Sequence, residues 1–144
     1  MRKELYKDII ESLKEVSEVK HIDLWNQNVK FLQEDPAFAR PAVFVEFSPV
    51  NWQRVTGTKL EWKGTGELKL HLVSDWTGSA AAGSPEMDAN LSVFDLAAKI
   101  HERIEGLTGD RYRSLTLQQT MTNHNHEEII ENIEIYKVNY MMIL

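Results

Sequence analysis

The densest grouping of chemically versatile side chains is His124-Asn125-His126-Glu127-Glu128. Two imidazoles separated by one residue, followed by carboxylates, supply donors of the type that hold zinc or a similar divalent ion. A metal centre also needs a third ligand and partners that orient the first ones, and no other spacing in the chain supplies them. The segment reads as a polar link between two strands, with metal binding at His124 and His126 left open.

The remaining candidates are weaker. His101 falls inside the apolar arc of a helix, near Asn90 on the wheel, with no acid–base partner in sequence. It reads as a core or interface histidine with one hydrogen bond. His71 lies on the polar side of an alternating strand and takes the same reading. Glu102 with Glu105, and Glu127, Glu128 and Glu131, offer paired carboxylates. A general acid needs an apolar pocket that raises its pKa, and these sit among other charges, so they read as solvated faces. Gly64-Thr65-Gly66 lacks the third glycine and following helix of a dinucleotide loop. The Gly78–Gly83 run lacks the Lys-Ser/Thr ending of a phosphate loop. No catalytic, cofactor-binding or metal residue is assigned, no cofactor is implied, and the expectation is that the chain is not an enzyme.

The elements that would position these residues follow from periodicity. Leu5, Ile9, Leu13 and Val16 mark an amphipathic helix over 3–17. A short strand is expected over 19–25. A second covers 42–48, where Ala42-Val43-Phe44-Val45 is apolar on both faces, as in a strand inside a sheet. Between Val55 and Ser74 the alternation runs through Leu60 and Trp62 and again through Leu68, Leu70 and Leu72. This favours a hairpin turning at Gly64-Thr65-Gly66 over one long bent strand from near Leu60. Asp75–Gly83 has loop composition. Ser84-Pro85 signals a helix start, with serine as N-cap and proline at N1, and the helix runs to about Gly106. Tyr112–Thr122 and Ile130–Met142 read as two final strands. The parity switch between Ile135 and Tyr136 marks either a bulge or a strand buried on both faces. The order α-β-β-(β-β)-α-β-β gives an α+β fold, one domain over residues 1–144, with two helices packed on a largely antiparallel or mixed sheet.

The second helix carries a surplus of apolar surface. Ala89, Val93, Leu96, Ala97, Ile100 and Ile104 form one cluster, and Met87, Leu91, Phe94 and Ala98 form another beside it. A helix lying on a single sheet needs an apolar stripe of roughly 100°, and this arc is about twice as wide. Either the first helix or a neighbouring subunit must cover the rest. Leu91, Phe94 and Ala98, with Trp76 in the adjoining loop and the stripe Tyr136 and Tyr140, are the expected subunit interface. The four tryptophans, Trp25, Trp52, Trp62 and Trp76, serve equally as core or contact residues.

Composition sets further limits. The 144 residues include 16 basic and 22 acidic side chains, a net charge of −6, and the basic ones are scattered. Tight nucleic-acid binding, which rests on phosphate neutralisation, is therefore not expected. There is no cysteine, hence no disulfide framework or thiolate chemistry. No apolar run approaches the ~20 residues of a membrane helix, and Glu4, Lys7 and Asp8 interrupt any leader-like segment. A soluble, unprocessed chain is expected.

Leu24-Trp25-Asn26-Gln27-Asn28, the strand Pro41-Ala42-Val43-Phe44-Val45-Glu46-Phe47, Trp52 and Leu70-His71-Leu72-Val73 resemble the tail terminator, or tail completion, family of the tailed-phage neck. The order of helix, strands, glycine-rich loop, long helix and two final strands is similar as well. The resemblance implies a prophage-encoded structural protein and a ring, typically of six subunits. Such a ring caps the tail tube protein, halts its polymerisation and presents a surface to the head–tail connector. It implies a place in the virion neck after assembly in the bacterial host cytoplasm, with DNA only passing through the lumen. Carboxylates lining that lumen would repel the phosphates. Another head–tail joining subunit, or a small α+β ligand-binding domain or metal-dependent enzyme, are the alternatives.

Overall fold

A computed structural model describes residues 1–26, 38–123 and 128–144. His124, His126 and Glu127 lie outside the described residues, as do Gln27, Asn28 and residues 33–36.

Seven elements follow in order: α1 (Arg2–Leu13), β1 (His21–Leu24), β2 (Ala42–Arg54), β3 (Glu61–Asp75), α2 (Met87–Ile104), β4 (Tyr112–Asn123) and β5 (Ile129–Ile143). They form one five-stranded mixed sheet, β1-β2-β3-β5-β4, in which only the β1–β2 pair is parallel. Both helices lie on one face, which makes the α+β arrangement expected from the sequence.

Each helix is held by one apolar stripe. Leu5, Ile9 and Leu13 of α1 are fully buried. Val93, Leu96, Ala97, Ile100 and Ile104 of α2 meet Val43, Val45, Leu68, Leu70 and Leu72 in the same core. The helix α1 ends at Leu13, earlier than its periodicity suggests, and Val16 reaches the core from the turn that follows.

β2 is interior only where its sequence is apolar on both faces. Residues 42–45 pair with β1 on one side and β3 on the other, and all four are buried. Beyond them β2 continues to Arg54 along β3 alone. β3 is one uninterrupted strand of 15 residues, so the hairpin expected at Gly64-Thr65-Gly66 is not formed there. The reversal lies over residues 55–60, where Gly57 takes φ +84°, a conformation that glycine adopts without a Cβ penalty. Gly64 and Gly66 are buried mid-strand, and Trp52 pairs across from Gly64 with its ring over the glycine. A side chain there would meet Val50 and Trp52, so the two glycines serve close packing rather than a turn.

β5 runs in continuous register against β3 from Ile129 to Ile143. The parity switch at Ile135 and Tyr136 therefore reflects a central strand buried on both faces. The register shifts of this half of the sheet fall in β4, between Arg113 and Thr116 and between Leu117 and Gln119.

α2 begins at Met87, three residues after Ser84, and Glu86 occupies the N-cap position without a side-chain cap. Ser84 still caps locally, its hydroxyl accepting the Glu86 N–H at 3.3 Å. Among the described residues no helix is long and apolar enough to cross a membrane.

Candidate functional site

Three places in the structure concentrate polar chemistry or uncovered apolar surface. The first lies on the sheet face opposite the helices. Strand alternation sends Leu68, Leu70 and Leu72 to the helices and Lys69, His71 and Val73 to the other side. There His71 is 4 % exposed, with Nδ1 2.7 Å from Glu131 Oε1 and Nε2 3.3 Å from Glu46 Oε1. Lys69 Nζ reaches the second Glu46 oxygen at 3.6 Å, and the Asn123 amide donates to Glu131 Oε2 at 3.3 Å. The Trp25 ring stacks on the imidazole, centroids 3.6 Å apart and planes 14° off parallel. Beside it Phe38 packs edge-on against Phe44.

Glu131 is thus a buried partner, not the solvated carboxylate its charged surroundings suggest. The physical reason is local pairing: a carboxylate and an imidazole satisfy each other under an aromatic cover. As acid–base chemistry the cluster is closed, since both ring nitrogens face carboxylates and Trp25 covers the ring. Its evident work is to hold Trp25 down on the sheet. Among the described residues no group of three His, Asp or Glu side chains is placed to hold a metal ion.

His101 is half-buried, with Nδ1 2.9 Å from the Tyr136 hydroxyl. Asn90, its neighbour on the wheel, is 3 % exposed and binds the 76–86 loop. Its carbonyl accepts the Thr77 N–H at 3.0 Å, and its amide donates to the Thr77 and Ser79 carbonyls at 2.8 and 3.1 Å. A buried asparagine on an apolar arc is the sequence signal for this anchor, because a buried amide requires partners.

The second place is the outer face of α2. Leu91 and Phe94 are 39 and 42 % exposed, and Ala98 is exposed beside them. α1 covers only the far side of the helix: Glu18 and Glu15 beyond its end pair with Lys99 and Arg103 of α2. Trp76 is half-buried against the core. Ala89, grouped by its wheel position with the core, is exposed, and Asn90 takes the buried position instead.

Tyr136 and Tyr140, expected at the same interface, lie inside the chain's own core, at 0 and 3 % exposure. Their parity faces the helices, so the tyrosine stripe is a core stripe. Burial, with Glu134 and Glu105 nearby, holds the Tyr136 hydroxyl pKa above its ordinary value. Burial and the hydrogen bond to Asp8 do the same for Tyr112. The Tyr140 hydroxyl is buried without a hydrogen-bond partner among the described residues.

The third place is the tip where β2 turns into β3 beside the end of β5. Leu60, Ile143 and Leu144 are 55, 48 and 70 % exposed, and the Leu144 N–H donates to the Leu60 carbonyl at 2.8 Å. Exposed Arg54, Lys59 and Lys63 lie in the same segment, and Glu61, paired across from Ile143, is the one acid in residues 54–63. With the turn assigned to Gly64, sequence reasoning broke this tip into two pieces. Thr56-Gly57 was the available signal.

Comparison places the fold. A chain solved in the virion of a native gene transfer agent particle superposes over 94 % of this chain and 93 % of its own length. Its TM-score is 0.57 at 9 % sequence identity. No protein-family model matches the sequence, and no curated protein matches it.

Proposed function

We propose that this chain is a structural subunit of a phage-like particle, and within such a particle a tail terminator or tail completion protein. It forms a ring of copies that caps the tail tube, stops its growth and offers a surface to the head-side connector. The observation that carries the reading is the end-to-end fold likeness to a chain of a gene transfer agent virion. The same fold can serve another head–tail joining subunit, and the tube assay below separates the two.

The surfaces support it. A capping ring needs contact faces and no reactive group. The polar cluster at His71 is closed, whereas the outer face of α2 is open and apolar at Leu91, Phe94 and Ala98. The net charge of −6 suits a lumen through which DNA passes without adhering.

The test is to let tail tube protein polymerise in the presence of this chain and measure tube lengths by electron microscopy. Capping predicts tubes of bounded length carrying a ring at one end. Unchanged growth with no end-bound density would refute the terminator reading. Phe94→Asp should abolish capping while leaving the monomer folded, because the ring is already 42 % exposed. Its effect on monomer stability should stay within about 1 kcal/mol.

A further inference from the structure

The apolar face of α2 has a charged border on one side only. At 100° per residue, Asp88, Asp95 and Glu102 lie immediately beside Leu91, Phe94 and Ala98. The helix's own cations bond elsewhere: Lys99 bonds Glu18, with Asp95 only a weaker electrostatic neighbour, and Arg103 Nη1 lies 2.7 Å from Glu15. Asp88, Asp95 and Glu102 form no ion pair among the described residues. The β2–β3 tip presents the opposite combination, exposed apolar Leu60, Ile143 and Leu144 on a segment that carries Arg54, Lys59 and Lys63 against one acid, Glu61, the strand partner of Ile143. These three cations likewise form no ion pair among the described residues.

We infer that the β2–β3 tip of one copy docks on the outer face of α2 of the next, seating Leu60 and Ile143 against Leu91, Phe94 and Ala98, with Lys59 and Lys63 facing Asp88 and Asp95. Apolar surface meets apolar surface and basic meets acidic, the complementarity that selects a partner and its orientation. The two patches are different surfaces, so the contact is head-to-tail and propagates from copy to copy; it closes into a ring or runs on as a filament. The occupant is a second copy because this chain carries both halves of the match. The inference rests on the assembly reading and names the surfaces that reading needs. It also gives the wide apolar arc of α2 its cover.

The chain has no cysteine, so single cysteines report the contact cleanly. Ile143→Cys and Ala98→Cys, made as separate proteins, mixed and mildly oxidised, should yield a mixed disulfide dimer well above the yield of either alone. A chain carrying both substitutions should give a ladder of multimers. Lys7→Cys, on exposed α1 surface, mixed with either variant sets the level of chance collision. A charge swap is the second readout. Lys59→Glu or Asp95→Lys alone should weaken self-association about tenfold at low salt, and mixing the two variants should restore it to within about threefold. A mixed disulfide no more abundant than with Lys7→Cys, or reversals without effect and without rescue, would overturn the contact. Lost cross-linking with tube capping intact would refute this contact alone. Cross-linking without capping would refute the terminator function and leave the contact standing.

Discussion

Gly64→Ala tests the placement of the β2–β3 reversal, on which the tip depends. A Cβ at Gly64 would lie 2.7 Å from Val50 Cγ1 and 2.8 Å from two carbons of the Trp52 ring. Neither neighbour is the far end of a flexible chain. Overpacking of this kind costs about 1–3 kcal/mol. Replacing glycine by alanine also restricts the unfolded chain, which returns about 0.4–1 kcal/mol. The net expectation is a loss of about 0.5–2 kcal/mol. With an unfolding entropy of about 0.3 kcal/mol/K for a chain of this length, Tm should fall by about 2–7 °C. The assay is urea and thermal unfolding followed by circular dichroism at low protein concentration. Introducing the same change into Trp52→Ala should reduce the penalty, since the two ring contacts are gone while the 2.7 Å contact with Val50 Cγ1 remains. A Gly64→Ala chain as stable as the parent, or a penalty undiminished by Trp52→Ala, would mean that Trp52 does not cross Gly64.

Tyr112→Phe and Tyr140→Phe should part company. The first removes a hydroxyl that donates to Asp8 at 2.6 Å and should cost about 1–2 kcal/mol, whereas the second removes an unpartnered hydroxyl and should be neutral or stabilising by up to about 1 kcal/mol, both read by urea unfolding. Burial raises the hydroxyl pKa of Tyr6, Tyr112, Tyr136 and Tyr140. An unfolded tyrosine ionises near pH 10, so just above that pH the unfolded chain has released protons that the native chain keeps. This share of stability is complete below pH ~10 and declines as the pH rises further. Tyrosinate absorbance of the folded chain should lag that of the unfolded chain, and coincident titrations would contradict the burial. His71→Ala should free Trp25 from its 3.6 Å stack and change its fluorescence, at a cost of about 1–3 kcal/mol for the lost 2.7 Å bond between the imidazole and the buried Glu131 carboxylate.

Legibility in the sequence followed the strength of the periodic signal. The α1 stripe of Leu5, Ile9 and Leu13, the doubly apolar Ala42–Val45 run and the over-wide arc of α2 each lead directly to a structural fact: a docked helix, an interior strand and an uncovered face. Errors arose where one residue type has two uses. Gly64 and Gly66 read as a turn because glycine permits one, but here they make room for Val50 and Trp52 across the strand. Tyr136 and Tyr140 read as contact surface because amphipathic aromatics suit interfaces, yet their parity faces the helices and buries them. The pairing of His71 with Glu46 and Glu131 was illegible for a different reason. Those residues are 25 and 60 positions away, and only the order β2-β3-β5 brings them together.

The most direct test of the account is solution mass by light scattering after size exclusion, from low micromolar to near-millimolar protein. Self-assembly through head-to-tail contacts predicts growth with concentration from 16.6 kDa towards a closed species of about 100 kDa, six copies. A mass fixed at one copy across the whole range would contradict it.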